Sequence, residues 1–268
     1  QSITLSTHDQ LLMFTNKGKV YRIKGFNIPE ASRNAKGIPV INIINIDKDE
    51  KVKTMVPINK EWELKGYLFF VTKKGLCKRV PASEFESIRQ NGKIAISLKD
   101  DDELVAVRPT LGESQIIIAA ANGKAVRFDE RGVREMGRNA SGVKGMAVDE
   151  SEVIGMCTDQ EGEMILVVSK NGYGKQTPIN EYRETSRGAK GVKTININEK
   201  NGNLVALKAV KGDEDCLIMT SDGIVIRIHL AKVTTMGRAT QGVKLIKPQP
   251  GTFVSAVSIM DHEDEEKK

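Results

Sequence analysis

The amino-acid sequence predicts an all-β, propeller-like fold with five four-stranded repeats of about 50 residues and part of a sixth blade. Two series of glycines lead to this prediction. One series ends a basic loop and comprises Gly37, Gly92, Gly142, Gly191 and Gly242. The other lies in short turns and comprises Gly18, Gly75, Gly123, Gly172 and Gly223. Because two separate markers keep one period, an array of repeated units is expected.

Each repeat divides into four predicted strands. Apolar runs flank every turn glycine, such as LLMFT before Gly18 and VYRI after it, and such pairs are typical of β-hairpins. A third strand follows the basic loop, and a fourth follows an acidic turn. No long apolar pattern has the 3.6-residue period of a helix. We therefore predict that each repeat forms one four-stranded antiparallel blade.

The repeats divide the chain into one long domain and a short tail. The predicted domain covers 1–260, with repeats at about 2–50, 51–100, 101–149, 150–199 and 200–249 and a partial sixth at 250–260. We expect the ends to share a blade and close a ring, which would protect the sheet edges. Residues 261–268 contain five acids and are predicted to be an acidic, disordered tail.

Composition indicates a cytoplasmic protein with a polyanionic partner. The chain carries 41 Lys and Arg against 35 Asp and Glu, a formal net charge of +6, which favours nucleic acid as a partner. Three cysteines, Cys77, Cys157 and Cys216, lie far apart in apolar runs and are typical of buried thiols in a reducing cytosol. No signal peptide or membrane span is evident, so no membrane partner is expected.

Two series of basic residues recur once per repeat and are the candidate DNA-binding residues. The hairpin series lies four residues after the turn glycine, except that the fourth repeat supplies a lysine one place earlier: Arg22, Arg79, Arg127, Lys175 and Arg227. The loop series lies in and beside the basic loops: Arg33, Lys36, Arg89, Lys93, Arg138, Lys144, Arg187, Lys190, Lys193, Arg238 and Lys244. In a ring, equivalent positions would form a basic belt suited to duplex DNA.

Each feature of the basic belt also has a structural interpretation. The basic residues could instead form hydrogen bonds that lock neighbouring blades, although no acid recurs at a fixed offset as a partner. The loop glycines could admit a phosphate to the backbone, or they could serve only to turn the chain. Duplex DNA is favoured over single strands because aromatic residues, which stack on unpaired bases, are only 4% of the chain.

The sequence predicts no catalytic residue and no metal ligand. The three histidines, His8, His229 and His262, share no metal-ligand spacing with one another or with the cysteines, which makes a zinc site unexpected. The loop GRNASGV lacks the Lys-Ser/Thr pair of a nucleotide-binding loop and precedes a strand. Nucleotide hydrolysis by this domain is therefore not expected.

The motifs resemble the C-terminal domain of gyrase A proteins, the DNA-wrapping part of DNA gyrase, from about Ser6 to Met260. The resemblance is carried by the basic loops, STHDQLLMFTNKGKVYRIKGFNIPEASRNAKGIPVINI, KNGYGKQTPINEYR and GRATQGVKLIKP. It implies a six-bladed β-pinwheel with strands exchanged between blades and a basic rim that wraps duplex DNA for negative supercoiling. It further implies a monomeric domain without catalytic activity, whose partners are the gyrase A N-terminal domain and gyrase B. No cofactor is implied here, because ATP and Mg²⁺ act elsewhere in the holoenzyme.

One signature of gyrase A proteins is absent from the sequence. The heptapeptide Q-R-R-G-G-K-G does not occur, and we expect it to lie before Gln1, with its natural loss as the alternative. The sequence is also compatible with two other interpretations. The chain could be the C-terminal domain of the topoisomerase IV C protein, or a propeller that binds proteins through aromatic hot spots.

Overall fold

The computed structural model describes residues 6, 8–28, 44–58, 65–88 and 91–262. Within these residues the predicted all-β class is confirmed, since the only helices are 3₁₀ turns of three or four residues. None of the described helices has the length and apolar character needed to cross a membrane. The chain divides into two compact units, Ile3–Gly112 with Val133–Val143, and Glu113–Gly132 with Lys144–Lys268 and the first two residues.

In the described part of the first unit, the strands form two antiparallel sheets. One contains β1 (Gln10–Thr15), β2 (Lys19–Lys24), β3 (Val52–Ile58) and β6 (Lys93–Ile94), in the order β3-β1-β2-β6. The other contains β4 (Tyr67–Thr72), β5 (Leu76–Pro81), β7 (Leu104–Thr110) and β10 (Val143–Lys144), of which only Val143 belongs to the first unit, in the order β10-β5-β4-β7. The hairpin strands β1 and β4 are buried at nearly every position, which explains why they are continuous apolar runs in the sequence.

The described residues of the second unit form three sheets. The third sheet of the chain contains β8 (Gln115–Ala120), β9 (Lys124–Asp129), β11 (Val153–Thr158) and β14 (Val192–Lys193), ordered β11-β8-β9-β14. The fourth contains β12 (Met164–Ser169), β13 (Tyr173–Pro178), β15 (Leu204–Val210) and β18 (Val243–Lys244), ordered β15-β12-β13-β18. The fifth contains β16 (Asp215–Thr220), β17 (Val225–His229) and β19 (Val254–Met260), ordered β17-β16-β19.

The repeats exchange strands, which corrects the prediction that each repeat forms a blade by itself. β6 follows the second basic loop, yet it pairs with β2 of the first hairpin, with Lys19 opposite Ile94. β14 and β18 likewise pair with the hairpin of the preceding repeat. The strand after each acidic turn belongs to the sheet of the preceding hairpin. The predicted boundaries between repeats therefore divide single sheets. Strand exchange itself agrees with what the resemblance implied.

The glycines are placed where the exchanged segments meet the preceding hairpin. In the hairpin turns, the carbonyl of Gly123 accepts from the Thr194 amide at 2.8 Å, and that of Gly172 accepts from the Leu245 amide at 2.8 Å. In the basic loop, Gly191 has a φ of +88°, and a Cβ there would lie 2.4 Å from the carbonyl oxygen of Ala125. This glycine therefore serves both a left-handed turn and a close backbone approach.

The end of the chain also differs from the prediction. β19, predicted as part of a sixth blade, pairs with β16 and completes the fifth sheet. β17 is an edge strand among the described residues, and its apolar side chains Val225 and Ile226 are 53% and 37% exposed. Asp261, in the predicted tail, accepts a hydrogen bond from Arg227. The remainder of the predicted tail, 263–268, lies outside the described residues.

Candidate nucleic-acid interface

The hairpin arginines donate to backbone carbonyls of the following repeat. Nη1 of Arg127 donates to the carbonyl oxygens of Ile179 and Tyr182 at 3.1 and 3.2 Å, which lie at the two ends of a 3₁₀ turn. Its Nε donates to Oε1 of Gln115 at 3.2 Å. Arg127 is only partly exposed. Its guanidinium therefore joins one repeat to the turn of the next.

The same contact recurs at the equivalent positions. Arg22 donates to the carbonyls of Phe85 and Glu86, and Nε of Arg79 donates to that of Val133 at 2.6 Å. In the fourth repeat Gln176 replaces the arginine, and its Nε2 donates to the carbonyl of Leu230 at 2.7 Å. This geometry matches the alternative in which the series locks neighbouring blades. We therefore leave Arg22, Arg79 and Arg127 out of the proposed DNA-contacting set.

Arg227, the last member of the hairpin series, forms an ion pair within its own sheet. Its Nε lies 2.5 Å from Oδ2 of the buried Asp215. Burial of the Asp215 carboxyl opposes its ionisation, but the hydrogen bonds from Arg227 and His262 outweigh this effect and lower the pKa. Arg227 is thus engaged with a buried acid, and we leave it out of the DNA-contacting set as well.

A pair of substitutions at Arg127 tests this structural role. Arg127→Gln should be tolerated, because Gln176 already makes the same contact one repeat later. Arg127→Ala removes the donors to two carbonyls and should lower the free energy of unfolding by about 1–3 kcal/mol. Chemical denaturation checks both values. If Arg127 contacted a phosphate, both variants would reduce the slope of log DNA affinity against log salt concentration by about 0.9. We expect this slope to be unchanged in both variants.

Two buried lysines hold the basic loops of the following repeats. Nζ of Lys78 lies within hydrogen-bond distance of four carbonyl oxygens that share its N–H donors: those of Ala95, Gly137, Arg138 and Ala140, at 2.7, 3.0, 2.8 and 2.9 Å. Burial lowers the pKa of Lys78 to about 7, although Glu84 opposes the shift. The Lys78 amino group is the donor at the centre of the loop that carries Arg138, and the side chain has no exposed surface.

Lys175 makes the equivalent contacts in the fourth repeat. Its Nζ donates to the carbonyls of Gly237 and Arg238 at 2.6 Å each, and to Oγ1 of Thr240 at 2.9 Å. Burial lowers the pKa of Lys175 to about 8, with Glu181 opposing. The prediction that Lys175 contacts DNA is wrong, because its side chain is completely buried. It supports a basic loop from inside instead.

The loop arginines reach back across the strand exchange. Nη1 of Arg187 donates to the Lys144 carbonyl at 3.2 Å, and Nη1 of Arg238 donates to the Lys193 carbonyl at 2.9 Å. In the first unit, Arg138 makes the corresponding bond to Ile94 at 3.1 Å. A guanidinium has five N–H donors, so each arginine retains donors beyond those used here. The backbone contacts fix the direction in which these donors point.

Exposed lysines follow the loop glycines on the exchanged strands. Lys144, Lys193 and Lys244 are the second residues of β10, β14 and β18, and all three are exposed. Together with Arg187 and Arg238 they form what we call the basic row of the second unit. Each arginine of this row is hydrogen-bonded to the backbone of a lysine from the preceding repeat. The row is thus a physically connected series of cations.

The remaining predicted residues lie at the surface or outside the described chain. Lys93 is exposed on β6 in the first unit. Lys190 is exposed and lies 3.7 Å from Oδ2 of Asp149, an exposed pair that contributes little to stability. Arg33, Lys36 and Arg89 fall outside the described residues.

Comparisons with known proteins agree with this fold. The family model of the DNA gyrase C-terminal domain, beta-propeller, matches residues 9–59, 66–110, 114–156, 163–211 and 214–252. The DNA gyrase A protein of Staphylococcus epidermidis is 47% identical over 268 residues, which are 99% of this chain and 30% of that protein. The gyrase A protein of Staphylococcus aureus is 47% identical over 270 residues with the same coverage. The chain therefore spans about 30% of the length of the curated relatives it matches.

Solved structures show the same similarity. The C-terminal domain of DNA topoisomerase IV has a TM-score of 0.85 and 27% identity, covering 95% of this chain and 80% of that chain. The DNA gyrase A C-terminal domain has a TM-score of 0.81 and 26% identity, with coverages of 95% and 83%. The family model covers most of the sequence, and the curated relatives named above are gyrase A proteins. The chain thus belongs to the family of DNA gyrase C-terminal domains with a β-propeller fold.

Proposed function

We propose that this chain binds duplex DNA along the basic row and bends it, as the wrapping domain of a gyrase A protein. The observation that carries the proposal is the row itself, in which exposed lysines alternate with arginines anchored to the backbone. Cations repeated at equivalent positions suit a polymer whose phosphates are also repeated, and neutralising those phosphates releases counterions. The released free energy can offset a bending cost of order 1–6 kcal/mol for 20–30 base pairs.

The sequence relatives favour a gyrase A domain over the corresponding domain of topoisomerase IV. The two solved domains have similar TM-scores, but the 47% identical relatives are gyrase A proteins. In the holoenzyme, we propose, the bent DNA is presented to a topoisomerase core formed with the gyrase A N-terminal domain and gyrase B. This would serve negative supercoiling in the bacterial cytoplasm. The domain itself would bind DNA as a monomer, without cofactor or catalysis.

A topology experiment tests wrapping directly. A nicked circular DNA is sealed by ligase in the presence of increasing amounts of this chain, and the linking number is then measured after protein removal. If DNA wraps around the basic row with a positive crossing, the linking number should increase. The increase should grow with protein concentration. Filter binding on the same DNA measures affinity in parallel. Retained binding with no shift would contradict wrapping, and absence of binding would contradict the whole proposal.

A further inference from the structure

Strand pairing in the fifth sheet brings together three side chains that are distant in the sequence. Asp215 is the first residue of β16, and its partner on β17 is His229. On the other side of β16, Asp215 lies opposite Met260, the last residue of β19. His262 follows two residues later and reaches back to Asp215. The spacing of the histidines along the chain gave no sign of this cluster.

The three side chains present nitrogen and oxygen ligands to one small volume. Nδ1 of His262 lies 2.7 Å from Oδ1 of Asp215, and the rings of His229 and His262 stack with centroids 3.7 Å apart. One ligand atom from each residue lies within 4.8 Å of the other two. Asp215 is buried, while His229 is half-buried and His262 is exposed. The cluster is therefore open on the side from which an ion would enter.

Neighbouring groups orient these ligands. Nε2 of His229 is 3.1 Å from the Asp213 carbonyl, and because a carbonyl only accepts, this nitrogen carries the proton. In the neutral ring the lone pair is then on Nδ1, as for a metal-ligating histidine whose other nitrogen donates to a carbonyl. Arg227 binds Oδ2 of Asp215 and leaves Oδ1 directed towards His262. The carboxylate is thus held in an orientation suited to a single metal bond.

We propose that Asp215, His229 and His262 bind one first-row divalent transition-metal ion, with Zn²⁺ as the representative. Two imidazole nitrogens and one carboxylate oxygen suit such ions, whereas Mg²⁺ and Ca²⁺ prefer oxygen ligands throughout. Imidazole lone pairs lie in the ring plane, so two stacked rings cannot bind one ion until His262 turns out of the stack. With bonds of about 2.0–2.2 Å, its nitrogen must also move away from Oδ1 of Asp215 to make room for the ion. His262 follows the last strand and is exposed, so a rotation of its side chain can supply that movement. The ion replaces the hydrogen bond between His262 and Asp215, and water completes its coordination.

Metal binding would strengthen the fifth sheet, which has fewer strands than the other sheets of the described chain. The fifth sheet contains three strands among the described residues, with β17 at an edge. An ion bound by Asp215, His229 and His262 joins β16, β17 and the segment after β19. Since the ion binds the folded chain, it should raise the midpoint of thermal unfolding. The site does not depend on the proposed DNA-binding function.

Metal titration of the whole chain tests the site. We expect Zn²⁺ to bind with one ion per chain by isothermal titration calorimetry and to raise the thermal midpoint. Co²⁺, added alone, should give visible absorption bands of a nitrogen- and oxygen-ligated ion. His229→Gln and His262→Ala should each abolish the bands and weaken Zn²⁺ binding by at least about tenfold. His8→Ala, which alters an exposed histidine outside this sheet, should bind as the parent does.

The acidic residues after His262 require a separate control. The variant Glu263→Gln, Asp264→Asn, Glu265→Gln and Glu266→Gln removes four carboxylates and should retain Zn²⁺ binding. Loss of binding in this variant would overturn the proposal. So would equal competition by Mg²⁺, no bound Zn²⁺ at all, or unchanged binding in either histidine variant. Circular dichroism of each variant confirms that the fold is intact, and His262→Ala, which lies beyond the last strand, should not disturb it.

Discussion

Lys78→Met and Lys175→Met should each lower the free energy of unfolding by about 2–4 kcal/mol. Methionine retains the apolar stem but leaves the carbonyls of a basic loop without their shared donor, and each unsatisfied group costs about 1–3 kcal/mol. Part of this loss is offset because a charge is no longer buried. The loops that carry Arg138 and Arg238 should become mobile, so duplex binding should weaken as well. Urea denaturation and filter binding measure the two effects.

Surface lysines provide the matched controls for this prediction. Lys53→Met on β3 and Lys211→Met after β15 alter exposed lysines and should change stability by less than about 0.5 kcal/mol. If Lys78→Met were as mild as Lys53→Met, the carbonyls of its loop would not depend on the Lys78 amino group. Stability loss with unchanged DNA affinity would show that the loop keeps its conformation without the lysine.

The pH dependence of stability gives an independent check on the buried lysines. The folded-state pKa values of Lys78 and Lys175 are about 7 and about 8, below the ordinary value of 10.5. At pH values between each folded-state pKa and 10.5, the lysine is protonated in the unfolded chain and neutral in the folded chain. The free energy of unfolding therefore rises with pH over this interval. This contribution is complete above about pH 10.5 and lost as pH falls through 8 to 7. Lys78→Met should have a shallower rise than the parent chain, and an identical pH profile would contradict the shift.

Replacing the exposed lysines of the basic row should reduce DNA binding and its salt dependence together. Each phosphate contact contributes about 0.9 to the slope of log affinity against log salt, so Lys144→Gln, Lys193→Gln and Lys244→Gln combined should reduce the slope by about 2.7. The loss should be similar for all duplex sequences, because phosphate contacts carry little sequence information. Fluorescence anisotropy at several salt concentrations measures the slope. A loss confined to one sequence would contradict phosphate binding.

The fourth sheet supplies a control with the same change of charge. Lys244 lies beside Tyr173 at one end of this sheet, while Lys211 follows β15 at the opposite end. Both lysines are exposed. Lys244→Gln should reduce the slope by about 0.9, and Lys211→Gln should leave it unchanged. Equal effects of the two substitutions would mean that net charge, and not the basic row, governs binding.

The sequence by itself determined the strands, their period and part of the candidate interface. Turn glycines between apolar runs predicted the hairpins, because the left-handed turn conformation and the apolar runs are local properties of the chain. The lysines after the loop glycines, such as Lys144 and Lys193, were predicted at the surface and are exposed. The basic loops were recognised because glycine and arginine recur at fixed positions in each repeat.

The tertiary structure alone decided what the basic side chains contact. Arg127 and Lys175 donate to backbone carbonyls of the following repeat. Because every residue carries a backbone carbonyl, no pattern of acidic residues in the sequence could reveal these contacts. The exchanged strands are two residues long, too short for a periodicity to assign them to a sheet. His229 and His262 meet only through the register of two strands against β16, and this juxtaposition depends on long-range pairing that spacing along the chain does not encode.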